Sequence, residues 1–265
     1  MFTLQQSLYI RGSAGDPLPK VWSTLDADFL RGQLALVSAA PGIGKSAFVL
    51  SYGLRSRVPM LYFSADSDAF TQTSRSISIL TGCPMDESKR QVRTQKLEPR
   101  AAAALDSLPV QFKYDASPTL TQIEHPLEAF GQEYGEYPAL VVIDNLTNVR
   151  LGAGPNEDDP FAGLEGLMDY MHEMARKTAA CVIVLHHVQG AYNNGNIPIP
   201  LGGIKGQIGR VPEMVLTLHR VRNEYGPDAM NVSIVKDRNG KPDPSGYTYT
   251  TLEFDGDTMQ IKDAA

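Results

Sequence analysis

Residues 34–50, LALVSAAPGIGKSAFVL, constrain the fold of this chain more than any other stretch. A short apolar run leads into a loop of small residues, the loop closes on Gly44, Lys45 and Ser46, and a helical pattern begins at once. A buried strand followed by such a loop, GK[ST] and a helix is the context that a P-loop requires. Alanine stands at Ala39, where the first glycine of the motif is usual. The stretch therefore predicts a P-loop at the carboxyl end of a strand.

The predicted loop has the chemistry to hold phosphate groups. Its curled backbone directs several N–H groups at one phosphate. Gly44 can adopt a backbone conformation that a side chain would hinder, Lys45 reaches the terminal phosphates and the Ser46 hydroxyl can bind Mg²⁺. We therefore expect a nucleoside triphosphate with Mg²⁺. The nine residues assigned to this loop are Ala39, Ala40, Pro41, Gly42, Ile43, Gly44, Lys45, Ser46 and Ala47.

Strand-like and helical segments alternate along residues 34–185. Continuous apolar runs at 139–144 and 180–185 are typical of strands that are buried on both faces of a parallel sheet. The alternation predicts an α/β fold with a mainly parallel, twisted sheet flanked by helices. Shorter strand patterns joined by turns at 214–261 predict an antiparallel C-terminal extension of that sheet.

The composition suits a single α/β domain. Of 265 residues, 42% are hydrophobic, which is enough for a sizeable core. We expect an N-terminal arm at residues 1–25 and one domain at residues 26–265.

No apolar run approaches the roughly 18 residues of a membrane span, and the N-terminus lacks a secretion signal. We therefore expect a cytoplasmic protein without a membrane partner. Cys83 and Cys181 match no metal-ligand spacing.

The net charge of −6 argues against a uniformly basic surface that coats nucleic acid. It leaves room for DNA binding through a local patch or a channel lined by loops. A basic run at 87–100 predicts a solvated helix face, and a contact with another subunit or with DNA is the alternative.

Three carboxylates are candidates for the chemistry of hydrolysis. Asp144 ends the apolar run at 139–144, where a Walker B aspartate orients the Mg²⁺ shell. Asp66 follows the apolar run at 59–64, on the sheet edge where open α/β sheets bind ligands. It is the first choice for activating the attacking water. Asp68 competes for that role, although its position also suits a helix N-cap.

His186 and His187 end the apolar run at 180–185, on the same edge of the predicted sheet. A polar group at this position can sense the γ-phosphate and pass its state to the loop that follows. Packing as a core residue is the alternative; the two interpretations are balanced for His186, and sensing is favoured for His187. Adjacent histidines without further ligands nearby do not indicate zinc.

Together these segments resemble the ATPase core of the DnaB-type replicative helicases. Residues 32–50 share that family's alanine, proline and GK[ST] placement, residues 63–66 resemble its strand ending in a catalytic glutamate, and residues 141–144 match its Walker B strand. Residues 185–187 lie where the family carries a polar sensing residue, and the double histidine is closer to the hexameric RepA-type helicases. Residues 236–240, KDRNG, resemble the family's Lys-x-Arg-Asn-Gly element.

The resemblance runs from about residue 20 to the end and implies a RecA-like P-loop NTPase fold with ATP as the nucleotide. It also implies that Lys236 and Arg238 reach the γ-phosphate bound by the neighbouring subunit, which requires a ring or a filament. From the residues alone, this segment is an exposed surface strand. The catalytic residues that the resemblance implies are Lys45, Asp66, Asp144, His187, Lys236 and Arg238, with Ser46 and Asp144 at the metal.

The segment 189–210 corresponds to the loop that contacts single-stranded DNA in RecA-like motors. Lys205 and Arg210 supply charge for phosphates, and Gly206 leaves backbone N–H groups free to bind them. Few aromatic residues are present for base stacking, so we expect backbone contacts that do not depend on sequence. A mobile solvent loop is the alternative.

We therefore expect an ATP-dependent helicase that moves along single-stranded DNA in replication, as a homo-oligomer and most simply a hexameric ring. Other replication proteins are implied as partners. A filament-forming recombinase and a weakly hydrolysing DNA-binding or loading factor are the alternatives. No segment corresponds to the family's N-terminal helical domain, so we expect a minimal motor. Asp66 is one methylene shorter than the family's glutamate, which would slow hydrolysis or move the role to Asp68.

Overall fold

The computed structural model describes residues 3–7, 15–150 and 162–264. Part of the predicted N-terminal arm, residues 1, 2 and 8–14, lies outside this description. Nine described strands form one sheet. They are β1 Leu34–Ala39, β2 Met60–Ser64, β3 Val110–Tyr114, β4 Leu140–Asp144, β5 Cys181–His187, β6 Met214–Val221, β7 Asp228–Asp237, β8 Thr250–Asp255 and β9 Gln260–Asp263.

The strands lie in the order β3-β2-β4-β5-β1-β6-β7-β8-β9. Strands β1 to β6 run parallel, and β6 to β9 pair antiparallel. The predicted fold class is therefore confirmed, including the antiparallel extension. The described helices are α1 Leu4–Ser7, α2 Lys45–Ser56, α3 Ala69–Thr81, α4 Met85–Thr94, α5 Pro99–Asp106, α6 Leu120–Tyr134 and α7 Ala162–Thr178.

Helices cover both faces of the parallel sheet, which explains why its central strands are mostly apolar. Every residue of β1 and β4 is buried. One apolar cluster forms where α2 packs on the sheet, with Phe48 at its centre, and a second forms under α7. Met168 and Met171 of α7 are fully buried there, so the methionines of this helix are core residues.

The second half of the predicted arm packs against the domain. Trp22 stacks on Phe48 with ring centroids 4.7 Å apart, and its indole N–H donates to the Ile261 carbonyl at 3.0 Å. Leu18 and Leu25 are buried in the same cluster. The division at residue 25 stays a prediction.

The segment 189–210 contains three short 3₁₀ turns, Gly190–Tyr192, Leu201–Gly203 and Lys205–Arg210, and the last is kinked at Gly206 and Gln207, which have left-handed φ. Ile199, Ile204 and Ile208 are buried in the core. The segment is therefore packed onto the sheet, and the alternative of a mobile solvent loop does not describe it.

The basic run predicted as a solvated helix face lies on α4, α5 and their connection. Arg90, Arg93, Lys96 and Arg100 are exposed, and Arg90 pairs with Glu87 one turn away. Within the described ranges, no helix combines the length and apolar character needed to span a bilayer.

Candidate nucleotide-binding and hydrolysis site

The P-loop connects the end of β1 to the start of α2, as predicted. Gly44 immediately precedes α2 with φ +110°, in the left-handed region that favours glycine. A Cβ at this position would lie 2.8 Å from the methyl carbon of Met230, the end of a flexible side chain, so the backbone conformation more than space requires glycine here. Helix α2 begins at Lys45, and its first N–H groups are therefore available to a bound anion.

The sheet brings four of the predicted catalytic residues to one edge: Lys45, Asp66, Asp144 and His187. Ala39 of β1 is level with His187 of β5, and Ser64 of β2 is level with Asp144 of β4. All four strands are parallel, so their carboxyl ends face the P-loop together. Asp66 follows β2 at this edge.

Asp144 is fully buried, and its carboxylate has partners on one oxygen. The Tyr62 hydroxyl donates to Oδ2 at 2.8 Å. Burial raises the pKa of Asp144, while hydrogen bonds from Tyr62 and Ser46 and the charge of Lys45 oppose that rise. Oδ1 is buried and has no hydrogen-bond partner among the described residues. A buried oxygen of this kind beside the Ser46 hydroxyl fits Mg²⁺, which takes oxygen ligands.

Lys45 is almost completely buried at this edge. Burial lowers the pKa of its ammonium, and the negative charges of Asp144 and Asp66 oppose the shift. A desolvated ammonium interacts more strongly with a phosphate group than a fully hydrated one does. The buried charge of Lys45 is therefore suited to the terminal phosphates that the sequence predicts at this loop.

The two candidates for the hydrolytic carboxylate have different environments. Asp68 is the N-cap of α3, and its Oδ1 accepts the Thr71 N–H at 2.8 Å. The N-cap interpretation of Asp68 is thus confirmed. Asp66 is exposed and accepts a hydrogen bond on Oδ2 from Asn145 at 2.8 Å. The geometry favours Asp66 as the residue that faces the nucleotide.

Asn145 belongs to the site and was missed by sequence reasoning. It is 2% exposed, and Nδ2 lies 2.8 Å from Asp66 Oδ2 and 2.9 Å from His187 Nε2. Its position directly after the Walker B aspartate was the available signal, because residues at strand ends face this edge. The contact itself joins the ends of three strands that are distant in sequence.

The two histidines point to different partners. His187 is half-buried and contacts Asn145; burial lowers its pKa, as does the charge of Lys45. His186 is fully buried and donates from Nε2 to the Lys205 carbonyl at 3.0 Å. His186 therefore connects β5 to the predicted DNA loop, and His187 faces the hydrolysis site.

Lys236 and Arg238 lie at the opposite edge of the sheet. Lys236 of β7 is level with Val215 of β6, which is level with Leu36 near the start of β1. The Arg238 N–H donates to the Glu213 carbonyl, and the Glu213 N–H donates to the Leu34 carbonyl. The structure thus separates these two cations from the P-loop of their own chain.

The predicted DNA contacts lie on the last 3₁₀ turn of the 189–210 segment. Lys205 and Arg210 are exposed, and Arg210 forms an ion pair with Glu165 of α7. Gly206 adopts φ +74° between them. Pro41, His187 and Lys205 line one shared cavity of about 440 Å³, which places the P-loop and this turn side by side.

Comparisons with known proteins agree with this arrangement. Residues 23–263 match the family model of the DnaB-like helicase C-terminal domain. The Gene 65 protein of Mycobacterium phage L5 is 61% identical over 99% of both chains. The Gene 65 protein of Mycobacterium phage D29 is 63% identical over 87% of this chain and 99% of its own.

Two solved structures share the fold at 16% sequence identity. A DnaB-like replicative helicase, described with its interactions with primase, has a TM-score of 0.77 over 89% of this chain. This chain spans 58% of the length of that helicase. The second structure is of an ATPase domain and has a TM-score of 0.75, over 89% of this chain and 86% of its own. The resemblance inferred from the motifs is confirmed: this chain belongs to the DnaB-like helicase C-terminal domain family.

Proposed function

We propose that this chain is an ATPase that assembles with copies of itself, most simply as a hexameric ring, and moves along single-stranded DNA as a helicase motor in replication. One observation carries the proposal. The cations Lys236 and Arg238 lie at the sheet edge opposite to the P-loop of their own chain.

The length of β1 explains why this placement supports a site shared between subunits. At about 3.3 Å per residue, the strand from Leu34 to Ala39 spans roughly 17 Å. Arg238 is near the start of that strand, whereas Lys45 follows its end. An arginine side chain is too short to cover this distance, so these cations are suited to a nucleotide held by a neighbouring chain. Closed rings and open helices are the assemblies in which every subunit meets such a neighbour.

The other residues of the site suit hydrolysis of ATP. Lys45 would bind the terminal phosphates, Ser46 and Asp144 would hold Mg²⁺, and Asp66 would orient the attacking water and accept its proton. When bound, the Mg²⁺ would neutralise charge on the phosphate oxygens. His187 would respond to the γ-phosphate, and the Arg238 guanidinium of the next subunit would stabilise charge in the transition state.

The 3₁₀ turn Lys205–Arg210 would contact DNA. Its two exposed cations suit phosphates rather than bases, which favours binding that does not depend on sequence. His186 connects this turn to the strand that carries His187. This hydrogen bond supports a route from ATP hydrolysis to movement along DNA through the carboxyl end of β5.

A weakly hydrolysing, ATP-dependent DNA-binding or loading factor is the second candidate, and Asp66 favours it. An aspartate reaches one methylene less far than the glutamate of the family, and here it is already engaged by Asn145. This candidate predicts ATP-dependent DNA binding with negligible turnover. Since a helicase of the same fold is described with primase, we include other replication proteins among the proposed partners.

The test is ATP hydrolysis with and without single-stranded DNA, combined with native mass in the same buffer and with Lys45→Met as the inactive control. We expect DNA to raise turnover several-fold and the assembly to contain six copies of the 28.9 kDa chain, about 173 kDa. Turnover by a monomer, independent of protein concentration, would contradict the shared site. If electron microscopy shows long helical filaments on DNA, the assembly is recombinase-like and is not a ring.

A further inference from the structure

Asn145 makes hydrogen bonds on both sides of its amide, and these bonds define its orientation. The Thr147 N–H donates to Oδ1 at 2.8 Å, and the Thr147 hydroxyl also donates to Oδ1. A backbone N–H can only donate, so the oxygen of the amide must face Thr147. The NH₂ group of the amide therefore faces Asp66 and His187.

The orientation of Asn145 determines where His187 carries its proton. The two hydrogens of Nδ2 match its two neighbours, Asp66 Oδ2 at 2.8 Å and His187 Nε2 at 2.9 Å. Since Nδ2 is a donor only, Nε2 must be the acceptor. A neutral imidazole then has its single proton on Nδ1. Nδ1 is buried and has no protein partner among the described residues.

We propose that Asn145 is a positioning residue that joins Asp66 and His187 into one hydrogen-bonded unit and holds the proton of His187 on Nδ1. This inference rests on the proposed ATPase function for its kinetic consequence, but not for the tautomer. In this arrangement Asp66 and His187 depend on each other. The carboxylate that would orient water and the imidazole that would respond to the γ-phosphate share one amide, so displacing either changes the hydrogen bonding of the other.

The unit also leaves His187 with a donor, Nδ1–H, that has no protein partner among the described residues. An N–H that is buried without a partner costs free energy, and in a native site it calls for a partner that arrives later. The P-loop residue Pro41 and His187 line the same cavity. Nδ1 itself is covered by protein, so a phosphate oxygen bound in that cavity would accept from it only after the covering side chains move.

The test uses Asn145→Ser, with Asn148→Ser as the matched control. Serine is as good an N-cap as asparagine, so the variant keeps an acceptor for Thr147 N–H, but its short hydroxyl cannot bridge the other two residues. Asn148 lies three residues further on and donates to the Ala116 carbonyl, outside the unit. If Asn148→Ser leaves kcat and the tautomer of His187 almost unchanged, a general disturbance of this loop is excluded as the cause of the changes in Asn145→Ser.

Nitrogen NMR of imidazole-labelled protein reads the tautomer without any need for ATPase activity. The chain has five histidines, and a His187→Gln variant assigns the signal of His187. We expect a protonated Nδ1 and a bare Nε2 in the wild type, and a mixture of tautomers in Asn145→Ser. In steady-state kinetics we expect kcat to fall about 10- to 100-fold in Asn145→Ser with KM for ATP within about twofold, as for other residues that orient ligands indirectly.

Three results distinguish the tautomer, the positioning role of Asn145 and the proposed ATPase function. A wild-type His187 that carries its proton on Nε2 would overturn the inference, even in an active enzyme. Unchanged kcat in Asn145→Ser, alongside a changed tautomer, would overturn the positioning role. If the wild type hydrolysed no ATP, the proposed function would fail while the tautomer measurement would still judge the hydrogen-bonded unit.

Discussion

The ammonium group of Lys236 lies 3.0 Å from the carbonyl oxygen of Gly209 and also donates to the carbonyl of Arg210. Both acceptors close the 3₁₀ turn Lys205–Arg210, which carries the proposed DNA contacts. Burial and the charge of Arg238 lower the pKa of Lys236, and the charge of Glu213 opposes the shift. Lys236 is proposed to act on the nucleotide of the neighbouring subunit. It thus also supports, in its own chain, the turn that is proposed to contact DNA.

Replacing Lys236 by alanine is therefore expected to affect two activities. ATP turnover should fall by at least about 100-fold because a donor to the transferred phosphoryl group is lost. Affinity for single-stranded DNA should fall as well, because the turn loses its support. Fluorescence anisotropy with labelled DNA measures the second effect, and Lys241→Ala, an exposed lysine just past the same strand, is the control. Unchanged DNA affinity would show that the turn keeps its shape without Lys236.

Lys45→Met tests the P-loop. The methionine preserves most of the buried side chain, so the thermal unfolding midpoint should change little, whereas turnover should fall by at least about 100-fold. Calorimetric titration with ATP should show much weaker binding. Wild-type turnover in this variant would remove Lys45 from the phosphate site.

Lys205→Ala tests the DNA contact. Loss of one phosphate contact should weaken binding at low salt and reduce the slope of log affinity against log salt by about 0.7 for single-stranded DNA. The effect should be similar on every sequence, because phosphates carry no sequence information. Lys113→Ala, at an exposed lysine of β3 outside the basic run at 87–100, should leave the slope unchanged. An unchanged slope in Lys205→Ala would exclude this residue from the DNA site.

His186 makes the folded state sensitive to acid. Burial lowers its pKa to about 4, from an ordinary value of 6.5. Between these values the unfolded chain binds a proton that the folded chain does not, so stability is greatest above pH 6.5 and is lost as the pH falls towards 4. Roughly 2 kcal/mol of the free energy of unfolding should be lost between about pH 7 and about pH 5 through this group.

Denaturant unfolding of the wild type and His186→Gln at several pH values measures this loss. Glutamine can still donate to the Lys205 carbonyl but does not titrate. We expect the loss over the same pH interval to be smaller in the variant by roughly 2 kcal/mol. Equal losses in both proteins would mean that His186 is not the acid-sensitive group.

Much of the fold could be predicted from the sequence because its signals are local. The strands β1, β2, β4 and β5 are mostly apolar, and the apolar run at 139–144 corresponds to β4, Leu140–Asp144. The positions of Lys45, Asp66 and Asp144 follow from strand ends in a parallel sheet. Each of these inferences needs only a short window of residues.

The remainder depends on contacts between segments that are distant in sequence. The Asn145 bridge joins the ends of three strands, and no spacing in the sequence encodes it. The position of Lys236 relative to the P-loop follows from strand register across β1, β6 and β7. The packing of the 189–210 segment depends on isoleucines such as Ile199 and Ile208, which follow neither strand nor helix periodicity. The glycine and proline content of the segment is typical of a loop, so the sequence did not indicate this packing.

The most direct test of the shared site mixes two inactive variants. Arg238→Ala alone should hydrolyse almost no ATP while still binding it, and Lys45→Met should do neither. In a mixed assembly, an intact P-loop from an Arg238→Ala chain can lie beside an intact Arg238 from a Lys45→Met chain. Random assembly of equal amounts would complete about a quarter of the sites. We expect the mixture to recover turnover up to that fraction of the wild-type rate. Wild-type turnover in Arg238→Ala alone, or a mixture as inactive as its two components, would contradict a site completed by the neighbouring subunit.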